Sequence, residues 1–188
     1  MHMHLRFLTI LALAGAAFSG EPRVKVLILT GHTDLPYHDW RQTTPRLRAM
    51  LDQTGRFDVR VAEHPGDLTA ADLAPYGVLL LNYNGPRWPA ATEAAVEQFV
   101  SSGKGMFSFH GASYGEFYGM VFETSWQASP TSDRGWAAYP RLVGATWDPP
   151  KIGHGARHVF SVKWIDREHP IARGLDETFE ADDELYHR

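Results

Sequence analysis

The chain has 188 residues, 44% of them apolar and 21% charged, with a formal net charge of −4 and no cysteine. That length and balance fit one globular domain with a sizeable core. The weakly acidic charge, without a basic block, argues against nucleic acid as a partner. The missing cysteine excludes disulfides, a lipid attached through an N-terminal cysteine, and a thiol nucleophile.

His2, His4 and Arg6 precede an apolar run from Phe7 to Ala17, and Ala17-Phe18-Ser19 is a small-x-small cleavage site. Residues 1–20 therefore read as an export signal, and residues 21–188 as the mature domain, periplasmic or extracellular. The run is short for a membrane span, so no lasting anchor is expected. Val24 to Thr30 is a β-branched and leucine-rich first strand, stopped by Gly31-His32. After a loop containing Tyr37-His38-Asp39-Trp40, Thr44 is expected to cap a helix with Pro45 at its first position. Leu47, Met50 and Leu51 would form its inner stripe, and Gly55 would end it. Phe57 to Ala62 is a second strand, Leu68 to Leu73 a short helix capped by Thr69, and Gly77 to Leu81 a third strand leading into Asn82-Tyr83-Asn84-Gly85. A helix over about 89–101 turns Val96, Phe99 and Val100 inward and stops at Gly103. Gly105 to Phe109 reads as a buried central strand ending in His110-Gly111, a turn that lifts its apex side chain into solvent.

Apolar strands alternating with amphipathic helices indicate a parallel sheet covered on both faces. Its crossovers are right-handed, so the loops after the strands gather on one edge, where open α/β sheets bind ligands. Residues 32–40, 82–85 and 110–115 converge there. Residues 116–157 read as irregular, with a short helix near 118–125 and a wall or lid over the site. His158 to Ile165 is a strand, residues 171–175 pack back, and 182–184 form an acidic cluster, functional above all at Glu184 or, alternatively, a solvated turn with Leu185 and Tyr186 packing inward. The ending is abrupt for a doubly wound domain, which reads as part of a longer chain.

Four motifs occur in order: Tyr37-His38-Asp39-Trp40, Phe109-His110-Gly111-Ala112, Asp166-x-x-His169-Pro170-Ile171-x-x-Gly174-Leu175 and Asp183-Glu184-Leu185-Tyr186. Together they resemble the ThuA-like (trehalose utilisation) domain over about residues 24–188. The resemblance implies a flavodoxin-like α/β three-layer sandwich with a mainly parallel sheet, as in class I glutamine amidotransferases. It also implies a role in sugar catabolism, beside oxidoreductases that make 3-keto sugars. His110 stands near the place of the amidotransferase cysteine. The family's Gly-rich, Gly-His-containing C-terminal stretch is not in this sequence.

His110, Glu184 and His38 are the expected acid–base groups, since imidazole and carboxylate both exchange protons near working pH. His32, Asp39, Trp40, Tyr83, Asn84, Gly111 and Asp183 are expected to contact substrate through hydrogen bonds or ring stacking. A divalent metal ion is the candidate cofactor, with His110, His154 and His158 as its ligands. His169-Pro170 reads as a structural turn. The expected partner is a small-molecule carbohydrate, most readily a 3-keto glycoside that is cleaved or isomerised. A non-catalytic sugar-binding module is the alternative, and a homo-oligomer is left open.

Overall fold

Alternation in the first strand sets up the layers of the molecule. Val26 and Ile28 point to one face of the sheet, Leu27 and Leu29 to the other, and all four are buried. The computed structural model describes residues 22–33, 38–113, 115–124, 127–130, 135–145 and 153–187. Expectations for the leader, residues 1–20, and for Tyr37 lie outside the described residues.

Strands β1 (Val24–Leu29), β2 (Phe57–Ala62), β3 (Val78–Leu81) and β4 (Gly105–Ser108) form a parallel sheet in the order β2-β1-β3-β4. Helices α1 (Trp40–Asp52), α2 (Ala70–Leu73) and α3 (Ala90–Ser101) make the crossovers. Helix α1 packs Leu47 and Leu51 onto Val26, Ile28, Val59 and Leu80. The opposite face carries Leu27, Leu29, Leu79 and Leu81 under Leu73 of α2 and Val96 and Phe99 of α3. Two cores on the two faces of one sheet make the three-layer α/β arrangement expected of the sequence. Tyr139 of a further helix, α4 (Tyr139–Val143), joins the second core.

Several local expectations are corrected. Helix α1 begins four residues before Thr44, with Asp39 as its cap: the Asp39 carboxylate accepts from Arg41 N at 3.0 Å. Pro45 therefore lies inside the helix rather than at its start. Thr44 is buried in the interior, where its hydroxyl bonds that of Thr30 at 2.8 Å and accepts from Asn82 Nδ2 at 2.9 Å. Met50 is exposed, not part of the inner stripe. Strand β4 is not central but is the outer strand of the described sheet. Phe107, beside Leu80 on the α1 face, is 57% exposed because α1 lies over β2 at the other side.

The helix expected near 118–125 is a 3-10 turn (Glu116–Tyr118) followed by a hairpin of β5 (Met120–Thr124) and β6 (Gln127–Pro130). Short β7 (Gly153–His154) follows. Strand β8 (His158–Lys163) pairs antiparallel with β9 (Thr178–Asp183), so Asp182 and Asp183 belong to a strand. Ile171 and Leu175 are exposed, and Ala172 alone of that segment's apolar residues is buried. Strand β10 (Tyr186–His187) pairs with β7. Among the described residues no helix is long and apolar enough to cross a membrane.

Replacing Thr44 by Val keeps its shape but deprives the Thr30 hydroxyl and the Asn82 amide of a buried partner. Such an orphaned group costs about 1–3 kcal/mol. Urea unfolding should show Thr44→Val destabilised in that range and Thr44→Ser close to the parent. Equal stability of the parent and the valine variant would refute the role of this network.

Candidate functional site

The strand order reverses direction across β1 and β3. From β1 the chain moves outward to β2, then returns to β3 on the other side of β1. The loops at such a switch point diverge and leave a crevice at the carboxyl ends of the strands. Here His32, His38, Asn82, Tyr83, Asn84 and Gly111 line a small cleft that opens to solvent.

Asn84 ties the three loops together. Its backbone N–H donates to the His32 carbonyl at 3.1 Å, and it forms a parallel bridge with Thr33 in the loop after β1. Its side-chain amide donates to the Gly111 carbonyl at 2.8 Å, in the turn after β4. Asn82 secures the start of α1 from below, donating to the hydroxyls of Thr43 and Thr44, both at 2.9 Å.

The turn after β4 is a 3-10 segment, His110–Ser113. Phe109 N donates to Leu81 O at 2.8 Å, which continues the ladder one residue past the strand. The fully buried Tyr139 donates its hydroxyl to the Ala112 carbonyl at 2.5 Å. Burial, then the neighbouring Tyr118, holds Tyr139 well above the usual phenol range, so this donor keeps its proton. Successive carbonyls of the turn, at 111 and 112, are thus gripped by buried side chains from β3's loop and from α4.

This grip presents His110 edge-on to His38, with ring centroids 4.8 Å apart and planes at 73°. Gly111 makes room for the pair, since a Cβ there would stand 3.3 Å from the His38 ring. Burial, then the neighbouring His110, lowers His38 from the ordinary value of 6.5 to about 4. At neutral pH His38 is therefore uncharged, and a proton arriving on His110 meets no cation beside it.

A second cluster, outside the residues that line this cleft, comes from the end of the described chain and meets His110 through Tyr186. Glu184 Oε2 lies 3.4 Å from His154 Nδ1, which also faces the Gly155 carbonyl at 3.0 Å. The Tyr186 ring stands between His154 and His110, with centroids 5.2 Å from the former and 5.8 Å from the latter. Tyr186 is 43% exposed and Leu185 is exposed as well, so neither packs inward as the solvated-turn alternative required. In an extended segment Glu184 and Tyr186 are two apart and share a face.

Other expected site residues have different surroundings. Asp39 is occupied as the α1 cap and also accepts from Gln42 Nε2 at 3.2 Å. Trp40 begins that helix under the Arg41 guanidinium, 4.6 Å from its ring. Tyr83 lines the cleft but is only 8% exposed. Its hydroxyl donates to Pro86 O, and its ring stacks on Phe117. His32 packs against Gly85 and its ring lies 6.1 Å from that of Tyr83. Asp183 accepts from Glu184 N at 2.8 Å and faces His158 across the β8–β9 ladder. His158 turns its Nδ1 to the Ala156 carbonyl and its ring to Phe160. Among the described residues no three His, Asp or Glu side chains converge as a metal ion requires, so His110, His154 and His158 are not brought together as a ligand set. Sequence reading missed Thr43, Thr44, Tyr139 and Tyr186. The first three act through burial, which motifs do not reveal.

Comparison with known proteins places this geometry in a family. The family model "ThuA: Trehalose utilisation" matches residues 25–188. A ThuA-like protein from Parabacteroides merdae ATCC 43184 has a crystal structure that superposes with a TM-score of 0.63 and is 25% identical. The match covers 89% of this chain and 63% of that one. A ThuA-like protein from Bacteroides uniformis ATCC 8492 gives a TM-score of 0.65 at 20% identity, over 92% of this chain and 64% of that one. This chain therefore spans a little under two thirds of the length of these neighbours. No curated protein matches it.

The lowered His38 fixes a pH dependence. The unfolded chain binds a proton at His38 near pH 6.5, whereas the folded chain resists it down to about pH 4. Stability is thus full above about 6.5 and is lost as pH falls through that window. Thermal unfolding between pH 7 and 4 should show the loss, and His38→Asn should flatten the slope. An NMR titration of the folded protein should place His38 near 4. A midpoint at 6.5 would contradict the half-buried neutral imidazole.

Proposed function

Because the chain belongs to the ThuA family, we propose that it is an exported carbohydrate-active protein that cleaves or isomerises 3-keto glycosides by acid–base chemistry. The observation that carries this reading is the His110–His38 pair, presented at the switch-point crevice with the half-buried His38 uncharged. The cleft is lined by neutral hydrogen-bonding groups, with no lysine or arginine among the described residues that line it. That lining suits an uncharged polyhydroxylated ligand better than a phosphate or carboxylate.

A ketone at C3 acidifies the C–H bond at C2. His110 removes that proton, and the electron pair of the broken C–H bond becomes the C1=C2 double bond as the C1–O bond breaks. The bond pair leaves with the glycosidic oxygen, which takes a proton from the Glu184–His154 pair. Water then adds across the double bond, hydroxyl to C1 and hydrogen to C2, so the net change is hydrolysis. A sugar without the ketone lacks the acidic C–H and is not a substrate by this route. The neutral state of His38 matters at the first step, because a cation beside His110 would oppose the proton it receives. The basic and apolar leader of residues 1–20 supports export.

The full chain should be incubated with a 3-keto disaccharide and with its unoxidised parent, each with and without chelator, and the products read by mass spectrometry. Conversion of the keto sugar alone is expected, with His110→Ala lowering kcat by roughly 10²–10⁴-fold, the usual contribution of a positioned acid–base group. Unchanged turnover in His110→Ala would end the mechanism, and binding without turnover would favour the sugar-binding module. Loss of turnover with chelator would bring a metal ion back into the site. For export, the N-terminus of secreted protein should begin near Gly20 or Glu21. A retained leader would oppose that part of the proposal.

A further inference from the structure

The reading of the cleft as a sugar site leaves open which ring the sugar rests on. A pyranose offers an apolar face of C–H bonds and a polar rim of hydroxyls, so its sites pair an aromatic plate with hydrogen-bonding groups at the plate's edges. Most aromatic rings near this cleft are engaged elsewhere. Tyr83, Trp88, Phe117, Trp136 and Tyr139 pack on one another, with centroids 4.7–6.1 Å apart, and all are buried. Trp40 carries the Arg41 guanidinium over its ring.

Tyr186 differs in its exposure and in the character of its neighbours. It is substantially exposed, and polar rings rather than apolar ones flank it: His110 at 5.8 Å and His154 at 5.2 Å. Its place is fixed by register, since Tyr186 pairs directly with His154 across the β7–β10 bridge. Gly155 N donates to the Leu185 carbonyl at 3.2 Å and anchors the segment one residue earlier. The same extended backbone brings Glu184 to His154, so a carboxylate acceptor and an imidazole stand together at one edge of the plate. The proton-accepting His110 stands at another.

We propose that Tyr186 is the platform on which the sugar ring stacks, with His110 at one edge and the His154–Glu184 pair at the other. The inference rests on the sugar reading above and gives Tyr186, the last residue of the fourth motif, a binding role that was not expected of it. It assigns Glu184 a second task, accepting hydrogen bonds from ring hydroxyls. Stacking needs the ring and not the phenolic oxygen, so the two simplest substitutions separate the roles.

The test is a binding measurement on the full chain. Saturation-transfer NMR and calorimetry would be run with methyl α-D-glucopyranoside and its 3-keto derivative, on the parent, Tyr186→Phe and Tyr186→Ala. Tyr186→Phe should bind within twofold of the parent, and Tyr186→Ala should bind about 3- to 10-fold more weakly, the size of one aromatic contact. In turnover, Tyr186→Ala should raise KM far more than it lowers kcat. Unfolding curves would confirm that Tyr186→Ala keeps the parent's stability, and Tyr186→Leu offers a second, bulkier removal of the plate. Parent-like binding by both the Ala and Leu variants overturns the platform while leaving His110 chemistry intact. Weakened binding in a protein that turns over neither sugar upholds the platform and rejects the catalytic reading. Failure of the parent to bind either sugar overturns both.

Discussion

A single buried side chain, Asn84, joins the loops that follow β1, β3 and β4. Its backbone meets the first loop at His32 and Thr33, it belongs to the second, and its amide holds the third at Gly111. Each loop alone is a short polar segment with little apolar area to bury, and would sample many conformations at room temperature. Linked through one residue that is only slightly exposed, they share a conformation. The His38–His110 contact is a consequence, since one ring rides on the first loop and the other on the third.

Below that junction lies a second layer of support. Asn82, Thr30, Thr43 and Thr44 form a hydroxyl and amide cluster between the carboxyl ends of β1 and β3 and the first turn of α1. The aromatic group around Phe117 and Tyr139 does the same from the opposite face and reaches the turn at Ala112. The catalytic candidates therefore stand on loops, but the loops stand on buried groups of both cores. Arg87 extends this: its guanidinium grips the buried Glu93 carboxylate with two 2.6 Å contacts, which holds the chain between β3 and α3. Such a pair contributes direction more than net stability, because removing both charges from water offsets much of their attraction.

The parts of the fold that follow from local pattern were legible in the sequence. Strands β1 to β3, the Thr69 cap and helix α3 each carry a period or a cap that no distant contact overrides. Thr44-Pro45 shows how such rules fail. The pair has the form of a helix start, yet Asp39 caps the helix earlier, and Thr44 is more useful as a buried hydroxyl facing Thr30. Proline inside the helix gives up one backbone bond, to the Arg41 carbonyl, near an end where the ladder is still incomplete. Met120 to Thr124 was misread because a short apolar run has no decisive period. His110, His38 and Asn84 were legible as loop residues after strands. Tyr186 was not, since its role depends on a two-residue strand pairing with His154 more than thirty positions earlier. Membership of the ThuA family was also legible, because four motifs keep their order along the chain.

The residue that unites the loops is also followed by glycine, and Asn-Gly is the dipeptide whose side-chain amide most readily cyclises and is lost as ammonia. The amide nitrogen that would depart from Asn84 is the one bonded to the Gly111 carbonyl, so the reaction must first surrender that bond. The His32 ring also lies directly over Gly85, where even a methyl group would collide with it. While the protein is folded, the junction shields itself from chemical ageing. Once aspartate forms there, an acceptor faces a carbonyl, and the loops lose their common tie. The lifetime of the site is in this sense set by how seldom the chain unfolds.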